Sequence, residues 1–413
     1  MIVNSDIHIH SKFSIGSSKN MSIALLSKEA KKKGIQLLGT GDCLHSGWFS
    51  EIKTMETVDE GTFEMNKTRF VLSTEVEDNK RVHHLLLFPS LSSAADFRER
   101  VIPHSKNIDS DGRPNLRLNG EEIAQHAKDV DAMIGPCHAF TPWTALYAYH
   151  DSLKSCYGDL VDYVSYVELG LSADTNFADR ISELSHLTFL TNSDAHSPYP
   201  VRLAREFTRF ELNEITYSEL SKALLRKAGR KPVLNVGLPP QEGKYHESAC
   251  INCFSHYTLR ESVMHKWKCT KCGKRIKKGV LDRVNELAAY KTPKHPKHRP
   301  EYLHLIPLAE IIRMAIGQKS PNTKSVTRIW DDLVSNFEDE VNVLVDANFE
   351  DIKEVCEDRV SNAIEAFREK RVIMHPGGGG QYGSVEIPDR KTYAKFLKSQ
   401  KKPKSGQMGI SDF

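Results

Sequence analysis

No run of apolar residues in this 413-residue chain approaches the roughly 20 needed to cross a bilayer, so no transmembrane helix and no membrane partner are expected. Nor is there room for a signal peptide, because candidate metal ligands begin at His8. A cytoplasmic, nucleoid-associated protein is expected. Charge of one sign is missing too: 57 Lys and Arg against 54 Asp and Glu leave a net +3, so overall charge does not announce a nucleic-acid binder. No internal repeat or long low-complexity tract is present. The one glycine-rich stretch lacks the Lys-Ser/Thr of a Walker loop, which argues against an NTP site. A disulfide framework is also absent. Of the eight cysteines, four form C-x-x-C pairs, and Cys43, Cys137, Cys156 and Cys356 are scattered, which is a metal-binding pattern in a reducing compartment.

Hydrophobic residues make up 39% of the chain, enough for a sizeable core, and the length allows two or three domains at roughly 100–200 residues each. Up to about residue 235, apolar strand-like runs (36–40, 70–74, 84–88, 132–135, 163–167, 187–190) alternate with helix-like stretches such as 22–33 and 120–129. That alternation predicts parallel βα units, in a barrel or an open sheet. A turn-rich connector opens a cysteine module over 236–290. Residues 291–400 read as helical, with helices over 308–316, 326–337 and 349–369 and a glycine loop at 376–383. A polar tail covers 401–413.

His8-Ile9-His10 follows the apolar run Met1-Ile2-Val3, and Asp194-Ala195-His196 follows the run 187–191. On a strand, residues i and i+2 point to one side, so each triplet presents two ligand-type side chains from a strand end. Asp42, Glu75, His83 or His84, His138 and Glu168 also sit at ends of apolar runs. In α/β folds chemistry gathers at such ends. A set of imidazoles and carboxylates suits Zn²⁺, Mn²⁺ or Fe²⁺. Glu168 reads equally as a residue orienting a ligand or as a structural one.

Cys250-Ile251-Asn252-Cys253 and Cys269-Thr270-Lys271-Cys272 have the spacing of a four-thiolate zinc site, so Cys250, Cys253, Cys269 and Cys272 are expected to hold one structural Zn²⁺. Between His265 and Pro300 stand twelve Lys or Arg and only Asp282 and Glu286 as acids, a local stripe suited to a phosphate backbone. In the glycine loop, Gly378 and Gly379 leave space for close approach of a ligand, and Tyr382 could stack on a base.

The first 235 residues resemble the PHP (polymerase and histidinol phosphatase) family. The family's H-x-H matches His8 and His10, and its T-D-H becomes Thr40-Gly41-Asp42. Glu75, His84 (or His83), His138, and the closing pair Asp194 and His196 match its remaining ligands. The resemblance implies a distorted βα barrel with two or three divalent metals (Zn²⁺, Mn²⁺ or Mg²⁺). These would activate water and clamp a phosphate, with Asp194, Glu75 and His138 as catalytic residues.

Over nearly the whole chain the order of PHP domain, four-Cys module, helical segment and glycine loop resembles the endonuclease Q family of archaea and some bacteria. Stretches carrying the likeness include Arg81-Val82-His83-His84-Leu85, Thr191-Asn192-Ser193-Asp194-Ala195-His196, Arg205-Glu206-Phe207 and His375-Pro376-Gly377-Gly378. It implies nicking of double-stranded DNA 5′ to uracil, hypoxanthine, xanthine or an abasic site, with Glu168, Arg205, Lys271, Gly378, Gly379 and Tyr382 near the DNA or the lesion. Gln407, Ile410 and Phe413 resemble the box that binds the sliding clamp (PCNA), which favours an archaeal member. Two other readings are a phosphatase of a small metabolite and an inactive DNA-binding scaffold. The basic stripe and cysteine module oppose the first, and the near-complete ligand set opposes the second.

Overall fold

The computed structural model describes residues 1–400, so Gln407, Ile410 and Phe413 lie outside the described residues. Strand β1 (Ile2–Asp6) pairs in parallel with β2 (Leu37–Gly39). An edge hairpin of β3 (Glu56–Asp59) and β4 (Thr62–Met65) leads into β5 (Thr68–Val71), which is parallel to β2. After a break at Leu72 the chain continues as β6 (Ser73–Glu77), paired with β7 (His83–Leu87), which in turn pairs with β8 (Met133–Pro136). Hydrogen bonds Ser165 N to Ile134 O (3.1 Å) and Ala139 N to Glu168 O (2.8 Å) join β8 to β9 (Tyr166–Glu168). Strand β9 is parallel to β10 (Thr188–Leu190). The segment after β10 returns to the end of β1 through Asp194 N to His8 O and His10 N to Ala195 O, both 3.0 Å. A ring is thereby closed, and its rim collects the ligand-type residues.

Strand β7 corrects the all-parallel expectation, because it is antiparallel to both β6 and β8. Only residues 78–82 separate β6 from β7, too few for the crossover that a parallel pair needs. The rim therefore receives the start of β7 and the ends of the other strands.

Strands β11 (Phe207–Glu211) and β12 (Lys231–Gly237) extend the sheet outward from β1. Strands β13 (Ala249–Cys250) and β14 (Ile276–Lys277) frame the cysteine module. Strand β15 (Glu301–His304) returns to pair with β12, so the sheet includes residues from beyond the cysteine module. Strands β16 (Ile373–His375) and β17 (Ser384–Glu386) flank the glycine loop.

The C-terminal helices Leu308–Ala315, Lys324–Asn336 and Asp358–Arg368 bury Ile311, Ile312, Trp330, Leu333, Ile364 and Phe367 in a core continuous with that of the barrel. A buried ion pair, Lys33 Nζ to Glu340 Oε1 at 2.5 Å, ties them to the first barrel helix. The single helix expected over 349–369 is two helices, since Cys356 takes extended backbone (φ −135°, ψ 164°).

Candidate metal centre

Asp42, His138 and Asp194 take positive φ (45°, 28° and 48°). For residues with a Cβ this is a strained turn, of a kind that clusters at functional sites. Here it occurs where the chain leaves the strands at the rim.

His8 Nε2 lies 3.7 Å from Glu75 Oε1 and 3.8 Å from Asp194 Oδ1. His10 Nε2 lies 3.3 Å from Glu75 Oε2 and 3.2 Å from Asp194 Oδ1. His138 Nε2 and His83 Nδ1 approach Glu75 Oε1 at 3.0 and 2.7 Å. Ligand atoms of His8, His10 and Asp194 lie within 4.8 Å of one another, as do those of Glu75, His83 and His138. His8 Nε2, His10 Nε2 and Asp194 Oδ1 are buried with no hydrogen-bond partner. Leaving such atoms unmatched costs about 1–3 kcal/mol each, and a shared divalent cation would satisfy all three. The donor set of imidazole nitrogen and carboxylate oxygen fits such an ion.

The electrostatics agree. Burial pushes His8 toward neutrality, but Glu168, Glu75 and Asp194 outweigh it and raise its pKa to about 9. Burial opposes ionisation of Glu75 and Asp194 as well, yet the surrounding histidines hold both carboxyls well below their usual range. Concentrated negative charge facing several imidazoles is what a cation pocket requires.

Other rim residues act behind these. Asp42 accepts from Ser11 N (2.6 Å) and Ser14 Oγ (2.9 Å) and faces His10 Nδ1 at 3.0 Å. It therefore orients the His10 ring and does not itself join the ligand atoms, which corrects its expected place among the metal ligands. Glu168 is fully buried and holds His8 Nδ1 at 2.8 Å while accepting from His138 N and Asn192 Nδ2. Its burial and these bonds place it behind the rim, where it fixes two imidazoles. Such partners set ring orientation and ligand basicity. His196 stacks on His10 with ring centroids 4.3 Å apart and brings Nε2 to 3.5 Å from Asp194 Oδ1, at the outer side of the cluster.

His84 is the clearest departure. Successive strand residues face opposite ways, so His83 enters the rim and His84 points outward, with Nδ1 2.7 Å from Tyr157 OH and Nε2 3.5 Å from Asp78 Oδ2. Two residues at the rim have no sequence signature. Arg113 places Nη1 3.2 Å from Glu75 Oε2 from a loop of no periodic pattern. Cys137 shares the reach of His8 and Glu75, and only its neighbourhood to His138 could have flagged it.

In the cysteine module the Sγ atoms of Cys250 and Cys272 are 3.4 Å apart, those of Cys253 and Cys269 3.5 Å, and those of Cys253 and Cys272 3.6 Å. The four converge as one tetrad without a disulfide, a geometry made for a metal ion. Lys271 is exposed beside it. Part of the basic stripe is spoken for. Arg299 is buried on Asp179 (2.9 Å), and Arg283 and Lys278 pair with Asp151 and Glu286.

The glycine loop does something other than expected. Gly378 and Gly379 are buried, and a Cβ on them would stand 2.8 Å from Ala249 Cβ and 2.3 Å from Cys250 O respectively. Their lack of side chains lets the loop dock on the cysteine module. Tyr382 is exposed, with Lys244 Nζ 5.4 Å from its ring. It lines a cleft of about 380 Å³ with Arg205, Val201 and Leu171 on the barrel side and Glu242 and Met314 opposite. Arg205 Nε donates to Ser193 O at 3.1 Å, which links the cleft wall to the residue before Asp194.

A family model described as the MJ0043 C-terminal domain matches residues 307–371. The uncharacterized protein MJ0043 of Methanocaldococcus jannaschii is 44% identical over 256 residues, 62% of this chain but 32% of that protein, so the chain matches about a third of that relative's length. The crystal structure of the lesion-specific endonuclease PfuEndoQ from Pyrococcus furiosus is 48% identical, with a TM-score of 0.91 over 97% of this chain and 99% of that one. A crystal structure of endonuclease Q with a 27-mer duplex bearing an abasic lesion at the active site is 49% identical, with a TM-score of 0.89 over 94% of this chain and 97% of that one.

Proposed function

The chain belongs to the endonuclease Q family, and from that premise we propose that it is a metal-dependent DNA repair endonuclease. Its reaction is hydrolysis of the phosphodiester 5′ to a deaminated base (uracil, hypoxanthine or xanthine) or an abasic site. The observation that carries the reading is the convergence of His8, His10, Glu75, His83, His138 and Asp194 on one rim, with three buried ligand atoms unpartnered.

Divalent ions held there supply an acidified water and charge compensation at the phosphate. Asp194 is the rim carboxylate most open to the outside, its side chain 31% exposed, and it orients the attacking water, whose proton passes to solvent. The water oxygen bonds to phosphorus as the P–O bond to the neighbouring sugar breaks, and the departing sugar oxygen takes a proton from solvent and leaves as a hydroxyl. Arg113, already drawn to Glu75, turns its remaining N–H groups toward the phosphate oxygens. Asp42 and Glu168 hold the His10 and His8 rings in register.

The cleft between Arg205 and Tyr382 receives the damaged nucleotide once it has turned out of the duplex, a step that costs least for unpaired or damaged bases. Burial raises Glu242 to about 7, so its carboxyl can donate as well as accept at the edge of a base. Lys271 and the free part of the basic stripe meet the phosphate backbone. Zn²⁺ in the four-thiolate site holds the module together, and the Gln407, Ile410 and Phe413 box carries the protein to a sliding clamp. Such an enzyme works on the DNA of the cytoplasm.

Incubating the purified protein with labelled duplexes, each carrying one uracil, hypoxanthine, xanthine or abasic site, in Mg²⁺, Mn²⁺ or Zn²⁺ tests this directly. A nick 5′ to the lesion and none in undamaged duplex is expected. Intact lesion strands under all three metals overturn the reading.

A further inference from the structure

Asp78, His84 and Cys156 come from three different elements: the loop after β6, the start of β7 and the helix Leu153–Tyr157. All three are buried, at 1%, 0% and 5% exposure. One ligand atom from each lies within 4.8 Å of the others. Asp78 and Cys156 line a cavity of about 160 Å³ together with Lys80, Lys154 and the buried His150.

We infer that Asp78, His84 and Cys156 form a second cation site, for Zn²⁺ or a divalent ion of similar ligand preference, on the face of β7 turned away from the catalytic rim. The ligand set is right for that class: one carboxylate oxygen, one imidazole nitrogen and one thiolate.

The His84 ring is already set as a metal ligand's ring would be. Its Nδ1 lies 2.7 Å from the Tyr157 hydroxyl, a partner that orients the ring and leaves Nε2 as the nitrogen turned toward Asp78. That Nε2 is buried and has no hydrogen-bond partner, and neither has His150 Nε2. A plain buried His–Asp pair would have closed to about 2.7–3.2 Å. Here the separation is 3.5 Å. Asp78 keeps Oδ1 for the backbone N–H groups of Lys80 and Val82, which leaves Oδ2 directed at the cluster.

Charge balances as well. The Asp78 carboxylate and a Cys156 thiolate together neutralise a 2+ ion. Burial alone pushes the Cys156 thiol's pKa up, so its thiolate forms when a cation is bound. His150 stands at the cavity wall beside Asp78 and Cys156.

Metal counting on the full-length protein tests the site. Wild type, Cys156→Ser and Asp78→Asn are stripped with chelator, reloaded with zinc, freed of excess metal and measured by mass spectrometry. Each variant is expected to hold one equivalent less than wild type while still nicking lesion duplex at the wild-type rate. Asp78→Asn keeps the oxygen that accepts from Lys80 and Val82, so it decides the matter should Cys156→Ser fail to fold. Equal zinc content in wild type and every folded variant overturns the site.

Discussion

His83 Nδ1 lies 2.7 Å from Glu75 Oε1, although His83 and Glu75 start from neighbouring strands of opposite direction. The contact fixes which of two adjacent histidines serves the rim. His83→Gln should therefore lower lesion nicking by on the order of 10²–10³, as loss of one imidazole from a small ligand set does. Single-turnover cleavage of a lesion duplex by the variant checks it; near-wild-type cleavage would remove His83 from the centre.

Asp194 combines a free oxygen facing His8 and His10 with a side chain open to the outside. Asp194→Asn keeps the shape and loses the charge. Nicking should fall below detection while the affinity for lesion duplex, read by fluorescence anisotropy, changes by no more than a few fold. Retained nicking would remove Asp194 from the mechanism.

Much of this rim can be read from spacing alone. The H-x-H and D-x-H triplets end strands, and period-2 alternation puts both members of each on one side. Alternation does not say which side faces the centre, and β7 runs against its neighbours, so His83 and His84 could be told apart only in three dimensions. Asp42 resembles a ligand by position, but whether a carboxylate touches a metal or the far nitrogen of an imidazole depends on how the ring is turned. Arg113 comes from a loop with no period at all. The glycine loop shows the opposite failure: composition reveals backbone freedom, not its use, and Gly378 and Gly379 spend it on packing against Ala249 and Cys250.

The cysteine tetrad is shallow. Cys253 and Cys272 are exposed, and the module's own apolar cluster is limited to Cys250, Cys269 and Ile276, with Tyr257 and Trp267 packed against it. So small a core cannot hold a fold unaided. Cys269→Ser should release one zinc equivalent and expose residues around 249–277 to limited proteolysis. Unchanged zinc content would refute a four-thiolate site.

Deletion of residues 407–413 removes Gln407, Ile410 and Phe413 and leaves every rim residue in place. Nicking of lesion duplex should be unchanged, while binding to a sliding clamp, measured by surface plasmon resonance, should drop at least tenfold. Equal clamp affinity with and without the segment would make the three-residue match accidental.

Glu206 adds a pH dependence to the stability of the fold. It is fully buried, with Oε1 accepting from Leu238 N at 2.7 Å and Oε2 unpartnered. Burial raises its pKa from 4.5 to about 8. The folded chain then holds a proton that the unfolded chain has lost. Its contribution to stability is therefore complete below about pH 4.5 and disappears as pH rises through 8. Glu206→Gln retains the acceptor for Leu238 and cannot ionise. The difference in Tm, variant minus wild type, should move in the variant's favour between pH 5 and pH 8, by the equivalent of a few kcal/mol at most. A difference that stays flat over that interval would mean Glu206 is ionised in the fold, with a counter-charge nearer than its surroundings show.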